Sequence, residues 1–181
     1  MARKKKSDIS ILDNFLPEDK FNKLKEGLEN EYFPWYWNDH SLIHIEDNIP
    51  QFIHAFIAEG GINSDYFKLL IESDIFLKLN IHGLCKCKAN LNYPTQKNIV
   101  GGFHTDLHEE DWEGITTSIL YINTNNGGTR FEDGTTINSV ANRVVSFDCS
   151  TKHAPVSCTD KLRRIVLNLN YSENKKHEHD N

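Results

Sequence analysis

Residues 163–171 read RRIVLNLNY. Successive side chains of a β-strand point to opposite faces, so Ile165, Leu167 and Leu169 fall on one side and Arg164, Val166, Asn168 and Asn170 on the other. The first face is apolar and predicts packing beneath a second layer; the second is more polar and predicts the wall of a cavity. Runs of the same β-rich kind precede it from residue 79 onward: LNIHGLCKCKANLNY (79–93), GGFHTDLH (101–108), GITTSILYIN (114–123), GGTRFED (127–133), NRVVSFD (142–148) and KHAPVSC (152–158). Turn chemistry separates them at Asn125-Asn126-Gly127-Gly128, Asp133-Gly134 and Thr159-Asp160. No helical pattern lies between them to act as a crossover, which argues against a parallel α/β sheet. The expectation is a mainly β sandwich or jelly roll.

The preceding part, residues 17–77, reads as helical and is expected to cover one sheet. In LPEDKFNKLKEGLEN (16–30), Pro17 suits a first turn, Glu18 and Asp19 favour the N-terminal end, and Phe21, Leu24 and Leu28 make one apolar stripe. IPQFIHAFIAEGG (49–61) places Phe52, Ile53, Phe56 and Ile57 at helical spacing before Gly60-Gly61, with His54 at the helix edge. NSDYFKLLIESDIF (63–76) predicts a third helix capped by Asn63 or Ser64.

The chain has 181 residues and a formal net charge of −6, which predicts one domain (8–171) and gives no broad basic surface for nucleic acid. Residues 1–7, with Arg3, Lys4, Lys5 and Lys6, read as a disordered basic tail, and 172–181 as a polar C-terminal tail. No apolar run is long enough to span a bilayer and no signal peptide is visible, so a soluble, cytoplasmic protein without membrane partners is expected. Cys85, Cys87, Cys149 and Cys158 are then expected as free thiols.

Within FHTDLHEED (103–111), strand alternation puts His104 and Asp106 on one face while Thr105 turns away. His153 is the single histidine between His108 and His177 and supplies a third ligand from another strand. Two imidazoles and a carboxylate on one side of a metal leave the opposite positions open, the donor set of non-haem Fe(II) oxygenases. His108 shares the parity of His104 and Asp106 and remains an alternative ligand. Downstream, Arg163 or Arg164 offers a forked donor that suits a carboxylate.

These residues resemble the Fe(II)- and 2-oxoglutarate-dependent oxygenases, in the prolyl 4-hydroxylase-like branch. The resemblance covers roughly residues 79–171, with a weaker likeness at ILDNFLPEDKF (11–21). His104, Asp106 and His153 match the family's iron ligands in order, and ILYINTNNGGTRF (119–131) resembles its strand and Gly-Gly turn. The resemblance implies a double-stranded β-helix (cupin-like jelly roll) over 79–171, with Fe(II), 2-oxoglutarate and O2 as cofactor and co-substrates. It also implies hydroxylation of an unactivated carbon, with succinate and CO2 released. Tyr121 and Tyr93 match tyrosines of the 2-oxoglutarate pocket. A basic residue about this far beyond the distal histidine clamps 2-oxoglutarate in related sequences, and the polar face of 163–171 selects Arg164 over Arg163. The substrate implied is a small molecule, an amino acid or a peptide, with prolyl one candidate. Two competing readings stay open: a non-catalytic β-barrel module that binds a metal or carboxylate, and a cupin-type enzyme using zinc or manganese.

Overall fold

A computed structural model of the chain describes residues 8–39, 50–58 and 60–174; the basic tail at 1–7 and residues 175–181 lie outside it. Among the described residues the strands form two antiparallel sheets. The larger contains β1 (Ser10–Leu12), β2 (Tyr36–Asn38), β3 (Gln51–Ala58), β4 (Gly61–Ile62), β5 (Ile81–Asn92), β6 (Ile115–Tyr121), β9 (Arg143–Asp148) and β11 (Arg164–Glu173). Its order is β1-β9-β6-β11-β5-β3-β2, with β4 paired to β3. The smaller sheet runs β10-β7-β8, made of His153–Val156, Gly128–Phe131 and Thr136–Asn138.

The alternation of 163–171 decides this architecture as expected. β11 lies mid-sheet between β5 and β6. Ile165, Leu167 and Leu169 are fully buried and join Phe21, Leu24 and Leu28 of helix α1 (Glu18–Glu29) in one core. The Pro17 carbonyl accepts the first helical hydrogen bond, from the Phe21 N–H at 2.8 Å, so the missing proline N–H costs the helix nothing. A second core of Ile119, Tyr121, Phe131, Ile137, Val145, Phe147 and Val166 fills the space between the two sheets.

The helix expected over 49–61 is instead the strand β3, paired with β5. The cause is a bulge: the register shifts between Ala55 and Ile57, with Phe56 as the extra residue. A bulge breaks strict alternation, so the consecutive residues Phe56 and Ile57 both enter the same core. Adjacent buried residues four positions beyond Phe52 and Ile53 imitate a helical stripe. His54 is accordingly a strand residue, not a helix-edge one. It is buried among Phe33, Phe56 and Tyr66, with Nδ1 2.7 Å from the Pro34 carbonyl and Nε2 2.8 Å from the Ser64 hydroxyl.

The helix expected over 63–76 is broken into α2 (Phe67–Glu72) and α3 (Ile75–Lys78), because Asp74 adopts a left-handed conformation at φ 60°. Neither Asn63 nor Ser64 caps it: the N-cap of α2 is Tyr66, without a side-chain cap, and the Ser64 hydroxyl accepts from the Tyr66 N–H at 3.0 Å in the turn before the helix. Residues 101–108 form no continuous strand; the segment meets β10 of the smaller sheet at the His104–His153 bridge and through the Gly101 N–H, which donates to the Pro155 carbonyl at 2.9 Å. The C-terminal tail begins later than expected, since β11 continues through Ser172 and Glu173. The four cysteines are free thiols, and no helix among the described residues is long and apolar enough to cross a membrane.

Candidate metal centre

His104, Asp106 and His153 each offer a ligand atom, and these atoms lie within 4.8 Å of one another. His104 Nε2 is 3.9 Å from Asp106 Oδ1, and His153 Nε2 is 3.7 Å from Asp106 Oδ2. Two reciprocal backbone hydrogen bonds of 3.0 Å between His104 and His153 bring the histidines together. Both rings keep Nδ1 beside a backbone carbonyl, Gly102 for His104 at 3.1 Å and Thr151 for His153 at 3.2 Å. A protonated Nδ1 donating there leaves each Nε2 lone pair free for an ion. Phe147 packs edge-on against the His153 ring, with centroids 4.9 Å apart, and fixes its plane.

The carboxylate is held just as firmly. Asn168 Nδ2 donates to both Asp106 oxygens at 3.0 Å, Asn170 Nδ2 approaches Oδ2 at 3.4 Å, and Lys86 Nζ donates to the Asp106 carbonyl at 3.0 Å. Burial by itself would raise the Asp106 carboxyl, but the His153, Lys88 and His104 charges and the Asn168 hydrogen bond outweigh it and hold it well below the usual carboxylate range. Burial, reinforced by His153, pulls His104 down to about 4. An anionic aspartate beside a neutral imidazole is the protonation state a cation requires of its ligands.

The cluster opens into a cavity between the sheets, whose walls include Arg164, Asn90, Asn92, Lys88 and Asn168. Arg164 is 3% exposed, donating from Nη2 to the Gly128 carbonyl at 2.8 Å and from Nη1 toward Asn92 Oδ1 at 3.4 Å. Its Nε is buried with no partner, as are the Oδ1 atoms of Asn90 and Asn168. Buried polar atoms are ordinarily paired; three orphans around one cavity fit a polar occupant. An imidazole–carboxylate cluster at one end and a guanidinium with a spare donor at the other fit a divalent metal and a carboxylate-bearing ligand.

The remaining expected residues divide. Tyr121 is buried beside Arg164, its ring centroid 5.9 Å from the guanidinium carbon and its hydroxyl donating to Thr129 Oγ1 at 2.8 Å. Tyr93 is not brought to the cavity: it is 54% exposed and meets Phe52 edge-on, while its neighbour Asn92 takes the wall. Tyr93 has the parity of Leu91 and Ala89, whose side chains enter the core on the helix side. Arg163 lies outside, 4.0 Å from Glu29, and His108 is exposed and outside the three-residue cluster. Gly127 and Gly128 act through backbone space, since a Cβ on either would fall 2.5 or 2.2 Å from the Val156 or Ile137 carbonyl oxygen. Lys86 and Lys88 were not anticipated. Their signal was the alternation Lys86, Lys88, Asn90, Asn92 in β5, the same polar face that β11 displays.

The chain is similar throughout its length to solved non-haem oxygenases. A Pseudomonas putida prolyl-4-hydroxylase is 18% identical with a TM-score of 0.56, over 93% of this chain and 94% of its own. An oxidoreductase of the 2OG-Fe(II) oxygenase family from Burkholderia pseudomallei is 12% identical with a TM-score of 0.66, over 92% and 86%. The fold is the jelly roll of the 2-oxoglutarate oxygenases. A prolyl hydroxylase from Trichoplax adhaerens, solved with a peptide fragment of hypoxia inducible factor, has the same fold at 16% identity and a TM-score of 0.63, over 91% and 83%. No family model and no curated protein matches the sequence. At these identities the likeness concerns the fold; the chemistry has to be argued from the side chains.

Proposed function

We propose that this protein is an Fe(II)- and 2-oxoglutarate-dependent dioxygenase that hydroxylates an unactivated carbon. The observation that carries the reading is the joint placement of His104, Asp106 and His153 at one end of a cavity and buried Arg164, with an unpartnered Nε, at the other. In this reading His104, Asp106 and His153 hold the iron on one side, and the opposite coordination positions stay open to the cavity. Arg164 pairs with the distal carboxylate of 2-oxoglutarate, and Tyr121 walls that end. Bound iron with 2-oxoglutarate supplies O2 activation, releasing succinate and CO2 and delivering a hydroxyl group to the substrate. The chain's own residues orient the co-substrate along the cavity, keep Asp106 anionic and His104 neutral, and exclude bulk water.

The test is anaerobic reconstitution with Fe(II), followed by titration of 2-oxoglutarate into the weak visible charge-transfer band of the chelate. The wild type is expected to develop the band and His104→Ala to lose it. Arg164→Ala is expected to need at least about thirtyfold more 2-oxoglutarate, the lower end of the cost of removing one member of a buried charge pair. A wild type without the band, and without bound 2-oxoglutarate by calorimetry, sinks this reading.

A further inference from the structure

Lys88 has no assignment in the reading above. It sits on β5 directly opposite Asn168 of β11, its side chain forms part of the cavity wall, and among the described residues its ammonium has no hydrogen-bond partner. Burial pulls its pKa down, opposed by the attraction of Asp106. In the proposed reading Asp106 would be taken up by the metal and the distal carboxylate of 2-oxoglutarate by Arg164, so neither anion is assigned to Lys88. The strand registers separate the two cations. Lys88 pairs with Asn168 while Arg164 pairs with Asn92, an offset of four residues or roughly 13 Å of strand. Lys88 therefore stands at the metal end of the cavity, where a substrate carbon must lie. Its ammonium is half-buried at the cavity wall, and the Asp106 carboxylate that attracts it is already bonded by Asn168 and faced by both histidines, so it keeps the capacity to bind a further anion.

Beside it are acceptors without donors. Asn168 Nδ2 is committed to Asp106, which fixes its Oδ1 as a buried, unpartnered acceptor, and Asn90, two residues from Lys88 on the same face, has an unpartnered Oδ1 as well. A cation on the cavity wall beside two unpartnered acceptors is the complement of a zwitterion. We propose that Lys88, with the amide oxygens of Asn90 and Asn168, forms a subsite for the carboxylate and ammonium groups of a free α-amino acid. The substrate is then a free amino acid rather than a residue within a peptide, which has neither charge to offer. This rests on the oxygenase reading above and narrows its substrate class.

The experiment begins with calorimetric Kd values of the wild type for Fe(II) and 2-oxoglutarate; if these fail, the oxygenase reading fails first and is identified as the cause. The loaded, anaerobic protein is then titrated with each common free L-α-amino acid and with its N-acetyl amide, which keeps the side chain but lacks both charges. At least one free amino acid is expected to bind at least about tenfold more tightly than its N-acetyl amide, the weight of one charge-assisted contact. Lys88→Met is expected to abolish that preference while leaving 2-oxoglutarate affinity within about twofold, and Lys88→Arg to restore part of it. The proposal is overturned if no free amino acid binds, if the N-acetyl amides bind equally well, or if Lys88→Met keeps the preference. It is likewise overturned if Lys88→Met loses 2-oxoglutarate, since Lys88 would then belong to the co-substrate.

Discussion

Asn168 shows how much of the candidate metal centre depends on a residue that is not itself a ligand candidate. Its amide bridges both Asp106 oxygens, so its removal frees the carboxylate to rotate away from the imidazoles. Asn168→Ala is expected to weaken Fe(II) binding by about 10- to 100-fold, the usual cost of losing a partner of a metal ligand. Equilibrium metal titration against a chelating dye checks this, and Asn168→Asp, which places a second carboxylate against Asp106, should not restore binding. His54 governs a different property. Its pKa is lowered by burial, against the opposing pull of the Pro34 carbonyl, so the unfolded chain takes up a proton at higher pH than the folded one. Unfolded histidine titrates near 6.5; stability is full above that pH and falls as pH drops below it, until folded His54 itself is protonated. Urea melts from pH 8 to 5 are expected to show this decline and, for His54→Gln, a shallower one.

At the scale of elements, the hairpin of β7 and β8 couples fold to site. Gly128 pairs with Asn138 across the hairpin and with Val156 of β10, and its carbonyl accepts from Arg164. A methyl group there would meet the Ile137 carbonyl, so Gly128→Ala must push β8 away from β7. Overpacking of this kind costs roughly 1–3 kcal/mol. The distinguishing expectation is that 2-oxoglutarate affinity falls along with stability, because the Arg164 anchor moves; a melt and a calorimetric titration on one sample read both. The elements also mark where the sequence was legible. β5, β6, β7, β9, β10 and β11 follow from alternation and turn residues, since each runs over several residues between clear breaks. β1, β2, β4 and β8 were not anticipated; with two or three residues each, they are too short to carry a period, and only pairing with a neighbour makes them strands. The bulge of β3 carries a helix-like spacing, so periodicity alone points to a helix where the pairing makes a strand.

In the whole molecule, Asn142 ties the N-terminal segment to the site-bearing sheet. Its side chain accepts from the Leu16 N–H at 2.9 Å and donates to the Leu16 carbonyl at 2.8 Å, across 126 residues of sequence. It also holds a left-handed φ of 61°, which asparagine tolerates better than most residues. Asn142→Ala loses both bonds and strains the backbone, an expected loss of roughly 2–4 kcal/mol and of roughly 5–10 °C in Tm. Asp13→Ala, which breaks the bidentate pair with Arg143 at 2.6 and 2.9 Å on the same segment, is expected to cost less because that carboxylate is solvent-screened. Differential scanning calorimetry of the two variants ranks them.

The sequence by itself determined the β architecture, the helix α1 with its stripe, and the three residues that converge as a candidate metal cluster. These depend on local periodicity and on scarce residue types, which a linear chain displays. It also separated Arg164 from Arg163, because alternation within one strand is a local property. Only the tertiary structure decided that Tyr93 faces away from the cavity, that Asn168 and Asn170 grip Asp106, and that Lys88 stands beside it on the cavity wall. Those outcomes depend on how β5 is set against β11 and where the 101–108 segment crosses between sheets. Register and crossing are fixed by long-range pairing and core packing, and no window of sequence contains both partners.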